Sequence, residues 1–356
     1  MPGRDLGTAA RPATEGVVRR RLWPLLRLVV GVVILGALVA RLGTDAVVDG
    51  LRAIDPAAVL AALGIGLLTT VVSAWRWCLV ARGLGLRLRL PRAVADYYRA
   101  LFLNSVLPAG VLGDVHRAVS HGRRAGDLGR GVRAVALERL AGLVVLVLVA
   151  AAVLLAQPRL LAAAVGDRTP GGVVGAGVLA AAVLAAVVAL GWWAVRGERA
   201  SGLRGALRTG LADARAGLFS NRIWPGVVLL SVAAVAGYLA LFVVAARTAG
   251  SQAALGELLP LLVLALLAMG LPFSIGGFGP REAVSAVAFG AGGLGATQGL
   301  AAAVVYGGLS LIACLPGLGV LLLWRAAPAG RVFRGSAGAP GSAPDGQHRT
   351  SSVAPC

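Results

Sequence analysis

The chain contains no lysine. Its 34 basic residues are all arginine, set against 15 acidic ones, for a net charge of +19. Beside runs of Ala, Gly and Val, an arginine-only basic complement reads as a GC-rich coding bias, so arginine abundance here does not argue for nucleic-acid binding. Charge is scarce altogether, at 14% of residues against 58% hydrophobic. A soluble domain is about a quarter charged, and the mean hydropathy of +0.84 points away from one. Cysteine is limited to Cys78, Cys314 and Cys356. These share no metal-like spacing, so neither a zinc site nor a disulfide framework is indicated. Gly276, Gly277 and Gly279 imitate a phosphate loop, but no Lys-Ser/Thr follows and no strand precedes them, which argues against nucleotide binding. Paired carboxylates, a Ser/His set and a metal cluster are all missing. The chain reads as no enzyme, with no cofactor and no metal.

What is present is apolar length. Twenty uncharged residues separate Asp55 from Arg76, 19 separate Arg139 from Arg159, 27 separate Arg168 from Arg196, and 24 separate Arg222 from Arg247. A helix needs about 20 such residues to cross a bilayer. The expected fold is an all-α polytopic membrane protein, with spans at about 23–40, 56–77, 134–157, 172–195, 224–246 and 299–324. A basic segment, 1–22, precedes the first span, which reads as an uncleaved signal anchor rather than a twin-arginine or secretory signal. Segment 326–356, rich in Gly, Pro, Ala and Ser, reads as a disordered tail. Loop charges orient the chain. Residues 1–22 carry five Arg and loop 196–222 carries six, whereas loop 41–55 has two Arg against three Asp. Both termini are therefore expected in the cytoplasm, and the membrane is the cytoplasmic one.

Two apolar stretches do not fit a crossing. Ala100–Gly113 is too short, is broken by Pro108, and is basic on both flanks. The stretch 257–290 is interrupted by Pro272 and Gly276-Gly277. Both read as re-entrant broken-helix hairpins. Halves 23–157 and 172–325 then share the order span, span, hairpin, span, in opposite orientation. Leu107-Pro108, Gly113 and Arg117 recur as Leu271-Pro272, Gly277 and Arg281, at an offset of 164. Ala81-Arg82 and Gly85 echo Ala246-Arg247 and Gly250. An inverted repeat with paired broken helices is a transporter architecture.

The candidate site lies at the breaks. A helix starting after a break offers free N–H groups to an anion, and arginine offers phosphate a planar fork. Arg117 and Arg281 fall near such starts, and each reads either as a headgroup ligand or as an interfacial anchor. Arg281 has apolar blocks on both sides, and Glu282 lowers its insertion cost. Glu138-Arg139 reads as an interfacial cap opening its span, or as the partner of the hairpin charges. Asp114 reads as a cap of the returning helix or as a coupling residue. Asn104 reads a headgroup, or satisfies backbone freed by Pro108. Trp75, Trp77, Tyr97 and Tyr98 read as an interfacial belt, and His116 and His121 as a solvated cytoplasmic flank.

At these residues the chain resembles the flippase-like transmembrane region of lysylphosphatidylglycerol synthases and its stand-alone relatives. The likeness runs through Leu103–Pro108, Gly113-Asp114, Arg117, Glu138-Arg139-Leu140 with Gly142, and Pro272–Glu282, where Ser274 joins the glycines. The family tends to carry glycine where Ala109 and Leu112 stand, and a small apolar residue where Pro280 stands. The resemblance implies a flippase-like domain over 23–325, moving or handling a polar lipid such as an anionic phospholipid or a polyprenyl-phosphate-linked one. It does not imply lysyl transfer, which in the full synthases belongs to a separate soluble domain. An accessory subunit of a lipid or cell-envelope glycosyl- or acyltransferase system is the alternative. Nucleic acid is not an expected partner.

Overall fold

In the computed structural model, the structure describes residues 45–107, 111–156, 223–270 and 279–326. Among them every regular element is helical and none is a strand. The spans expected at 23–40 and 172–195, the basic N-terminus, and nearly all of the tail at 326–356 lie outside the described residues.

A short helix, α1 (Asp45–Arg52), is followed by the long α2 (Pro56–Gly83). Asp55 starts α2 by accepting from Ala58 N at 2.7 Å, and Pro56 occupies the first turn, where its missing N–H costs nothing. Then come α3 (Leu90–Val106), α4 (Leu112–Arg124) and α5 (Leu128–Leu155), the last capped by Asp127. The second run comprises α6 (Trp224–Thr248), α7 (Leu255–Met269), α8 (Pro280–Ala291), α9 (Ala296–Cys314) and α10 (Pro316–Ala326).

Among the described residues, four segments are long and apolar enough to cross a membrane: Pro56–Gly83, Leu128–Leu154, Trp224–Thr248 and Ala296–Leu323. The long helices are apolar all round rather than striped, as lipid-facing helices are. Two span boundaries differ from expectation. The span expected at 56–77 continues to Gly83, so Arg76 lies two turns from its end rather than at it. The span expected at 134–157 begins at Leu128, so Glu138 and Arg139 lie within the helix rather than at its mouth.

The two runs are built alike. After α2, Gly85 takes φ +74° and Leu86 N donates to Ala81 O at 2.9 Å; after α6, Gly250 takes φ +89° and Ser251 N donates to Ala246 O at 2.9 Å. A positive φ after the last turn favours glycine and lets the next N–H reach back to an orphan carbonyl. The turns leaving α4 and α8 also match, with Asp127 N donating to Gly122 O and Leu294 N to Phe289 O. In each run two short helices pack on one another across a break: α3 on α4, and α7 on α8. The second short helix then packs on the following span, at Gly131 in one run and Gly299 in the other, where an added Cβ would collide with neighbouring backbone. Helix α2 packs on α6 and α9, and α6 packs on α2 and α5. Small residues allow these approaches: Gly237 lies against Thr69 and Gly66 against Ala313. The largest buried cluster includes Phe242, Leu258, Leu262, Tyr306 and Leu309, with Phe242 stacked on Tyr306 at 4.3 Å.

Candidate functional site

Five charged side chains from three helices meet beside the first break. Glu138 is 0% exposed, ten residues into α5, or about 15 Å along the helix at 1.5 Å per residue. Its Oε1 accepts from Arg76 on α2 through Nε at 3.0 Å and also through Nη2, and from Tyr97 OH on α3 at 3.3 Å. Its Oε2 accepts from Arg117 Nη2 at 3.0 Å. The same Nη2 donates to Asp114 Oδ1 at 2.9 Å, which also accepts from Arg139 Nη2 at 2.8 Å. Arg76 Nη1 reaches Ser231 Oγ on α6 at 3.1 Å, tying the first run of helices to the second. Gly142 leaves space for the Arg76 guanidinium, since an added Cβ would lie 3.0 Å from Nη1. Three cations face two anions here, a net charge of +1.

Arg117 is 0% exposed, enclosed by protein on every side. Its guanidinium carbon lies 4.5 Å from the Trp77 ring and 4.3 Å from the Tyr97 ring, an arrangement that favours a desolvated cation. Among the described residues, Arg117 Nε and Nη1, Arg139 Nε and Trp77 Nε1 have no hydrogen-bond partner. The cluster therefore holds more N–H donors than acceptors. It is open at one end: the Arg139 side chain is 39% exposed and that of Asp114 15%. Exposed Val106, Val111, Leu112 and Val115 belong to the same pair of short helices.

The structure shows the contacts of several residues that the sequence left with two readings. Asn104 Oδ1 accepts from Gly113 N at 2.7 Å and its Nδ2 donates to Asp114 Oδ2 at 3.0 Å, so Asn104 satisfies the returning backbone. Asp114 is not the cap of α4; that position is Val111, without a side-chain bond. Gly113 sits where an added Cβ would run into Ala100 O, so glycine sets the close approach of α4 to α3. Glu138 pairs with Arg117 and Arg139 with Asp114, and the cap of α5 is Asp127 rather than Glu138. Trp77, Tyr97 and Tyr98 are buried rather than belted; Trp75 is exposed. His121 is buried edge-on to Trp77 at 5.4 Å, not solvated, whereas His116 is exposed.

At the second break, Arg281 and Glu282 are also buried. Gly279 takes φ +106° and donates its N–H to Glu282 Oε2 at 2.6 Å, while Arg281 Nε donates to Glu282 Oε1 at 3.0 Å. Arg281 also lies 5.2 Å from the Tyr306 ring. In the first run the break arginine finds its carboxylate on the next span; in the second it finds one beside itself, and the span supplies an aromatic face. At Gly113 and Gly279 the N–H expected to be open to an anion is already taken by the protein. Pro108, Ser274, Gly276 and Gly277 lie outside the described residues.

Arg76 and Ser231 belong to the cluster and were not singled out from sequence, and Tyr97, expected only as part of an interfacial belt, belongs to it as well. A signal for Arg76 existed: Trp77-Cys78-Leu79-Val80-Ala81 continues the apolar run past it.

The chain is thus a multi-pass helical membrane protein with ion clusters buried at two helix breaks. No curated protein and no solved structure matches it. The family described as "Lysylphosphatidylglycerol synthase TM region" matches residues 25–317, which include both clusters, and the chain belongs to that family.

Proposed function

We propose that the protein translocates a polar lipid with an anionic headgroup across the cytoplasmic membrane, and that the Arg117–Glu138–Asp114–Arg139 cluster receives the headgroup. One observation carries this reading. The cluster has a surplus of buried N–H donors and a net charge of +1, and it opens where apolar side chains are exposed. Buried donors without acceptors are costly, and phosphate oxygens are acceptors only. A phosphodiester at the open end would meet those donors while its acyl chains stay in lipid. An anionic phospholipid and a polyprenyl-phosphate-linked lipid both satisfy that chemistry.

Movement follows from the architecture proposed with it: six spans, two re-entrant hairpins and both termini cytoplasmic, arranged as an inverted repeat. The matched turns at Gly85 and Gly250 support the repeat, as does the exchange of α2 and α6 in their packing. The break arginines would then approach one midplane cavity from opposite leaflets, and rocking of one half on the other would alternate access. The protein carries no chemistry of its own in this reading.

Two measurements test it. Proteoliposomes of the full chain are expected to move labelled phosphatidylglycerol between leaflets faster than empty vesicles; equal rates would favour the accessory-subunit reading. In a background without native cysteines, Ser120→Cys on α4 is expected to resist impermeant maleimide applied to intact cells. Rapid labelling from outside would sink the re-entrant topology.

A further inference from the structure

We propose that the protein binds a proton together with its anionic headgroup, and that His121 is the side chain that holds it. The inference rests on the cluster at the first break as the place where the headgroup is received, and it adds the second ion bound there. His121 is one of three histidines in the chain, with His116 and His348. It lies on α4 one turn beyond Arg117, on the side away from the break, or about 6 Å along the helix. Both side chains pack on one indole. The Arg117 guanidinium carbon is 4.5 Å from the Trp77 ring, and the His121 ring meets that ring edge-on at 5.4 Å. Only 3% of His121 is exposed, and among the described residues its Nε2 has no hydrogen-bond partner. Packing does not account for that nitrogen: a leucine would fill the space without leaving a buried polar atom bare.

The surroundings keep this ring neutral. From α4 the guanidiniums of Arg124 and Arg117 act on it, and from α3 Arg92 and Asp96. Helix α2 presents the uncharged Trp77, and α5 meets the neighbouring Gly122 at the uncharged Leu128. Asp96 is already engaged by Arg99 and Arg124. Burial and then Arg124 hold the imidazole below its ordinary value. A phosphodiester at the cluster changes this balance. Arg117 keeps Nε and Nη1 without partners among the described residues, so an anion that meets them offsets a charge that His121 already feels. A proton needs no cavity, and the bare Nε2 is where it can go. The coupling is reciprocal: what raises proton affinity when the anion binds also tightens the anion when the proton is on. Headgroup affinity is therefore highest below the pKa of the free ring. It falls as pH rises, and levels off once the ring is deprotonated in the bound form too. A phosphodiester and one proton enter the site as a neutral pair, which the membrane potential neither drives nor opposes.

The test is binding of a short-chain phosphatidylglycerol to the purified full-length protein in neutral detergent, between about pH 8 and about pH 5. The phosphodiester keeps its single charge over that range, so a pH dependence belongs to the protein. The wild type is expected to bind about tenfold more tightly at the acid end. His121→Gln is expected to bind equally at both ends, at the alkaline level of the wild type. His116→Gln, at an exposed ring, is expected to keep the pH dependence. Histidine NMR reads the group directly: with His116→Gln and His348→Gln in place, His121 is the only imidazole left. Its titration is expected to move up by about one unit when the lipid is added, and this readout stands if His121→Gln does not fold. Saturable binding that ignores pH in the wild type, or an imidazole that the lipid does not move, overturns the proposal and leaves the headgroup reading in place. A pH dependence that persists in His121→Gln also overturns it, by assigning the proton to another group. No binding at any pH overturns the headgroup reading itself, and this inference with it.

Discussion

Replacing Glu138 with alanine is expected to destabilise the fold by about 3–5 kcal/mol, the usual cost of removing one partner from a buried ion pair. Glu138 is 0% exposed and accepts from Arg76, Arg117 and Tyr97. Its removal would leave two guanidiniums in a low-dielectric core. Arg76 would keep only the neutral Ser231, and Arg117 would share Asp114 with Arg139. Surface pairs such as Arg130–Asp127, with both side chains well exposed, are worth about 0–1 kcal/mol. The measurement is the thermal midpoint of the purified protein in detergent, with Asp127→Ala as the exposed-pair comparison. Glu138→Gln is expected to recover part of the loss, because one amide oxygen still accepts although the charge is gone. A midpoint for Glu138→Ala as close to wild type as that of Asp127→Ala would mean that the cluster is hydrated and not a structural core.

The spans among the described residues were legible because lipid demands long uncharged runs, and nothing else in the chain imitates them. The site was legible in part. Arg117, Asp114, Glu138, Arg139, Arg281 and Glu282 stood out as charges beside Gly and Pro breaks, and the fold gathers the first four into one cluster. Arg76 escaped for a physical reason. Counting uncharged residues treats every charge as a boundary, yet a guanidinium neutralised by a carboxylate on another helix can sit well inside a span. The same rule started α5 about six residues late, so that Glu138 and Arg139 looked like the mouth of the span. Tyr97 and Trp77 were misread because an aromatic near a basic residue looks alike at an interface and over a buried cation; only the packing of α3 and α4 on α2 and α5 separates the two. The helix starts were overvalued as anion sites, since Asn104, nine residues upstream, takes the Gly113 N–H, and Glu282, in the first turn of the same helix, takes that of Gly279.

Arg139→Ala is expected to slow lipid translocation in proteoliposomes about tenfold to a hundredfold while leaving the thermal midpoint near that of wild type, the loss of one charge-assisted contact being worth about 1.5–3 kcal/mol. The two readouts separate because of where Arg139 stands. Its side chain is 39% exposed, so its pairing with Asp114 adds little to stability, below about 1 kcal/mol. Asp114 is not orphaned by the change: Arg117 Nη2 and Asn104 Nδ2 still donate to it. What disappears is the one guanidinium of the cluster that reaches its open end, with an Nε that no described residue accepts from. Arg117→Ala and Arg281→Ala are poorer probes. Both side chains are buried against carboxylates, and their removal would lower folded yield and transport together. Arg139→Lys keeps the charge but loses the planar fork, so it is expected to fall between wild type and alanine. If Arg139→Ala translocates lipid at the wild-type rate with the protein equally folded, the cluster serves only to hold α4 against α5, and the headgroup must be received elsewhere.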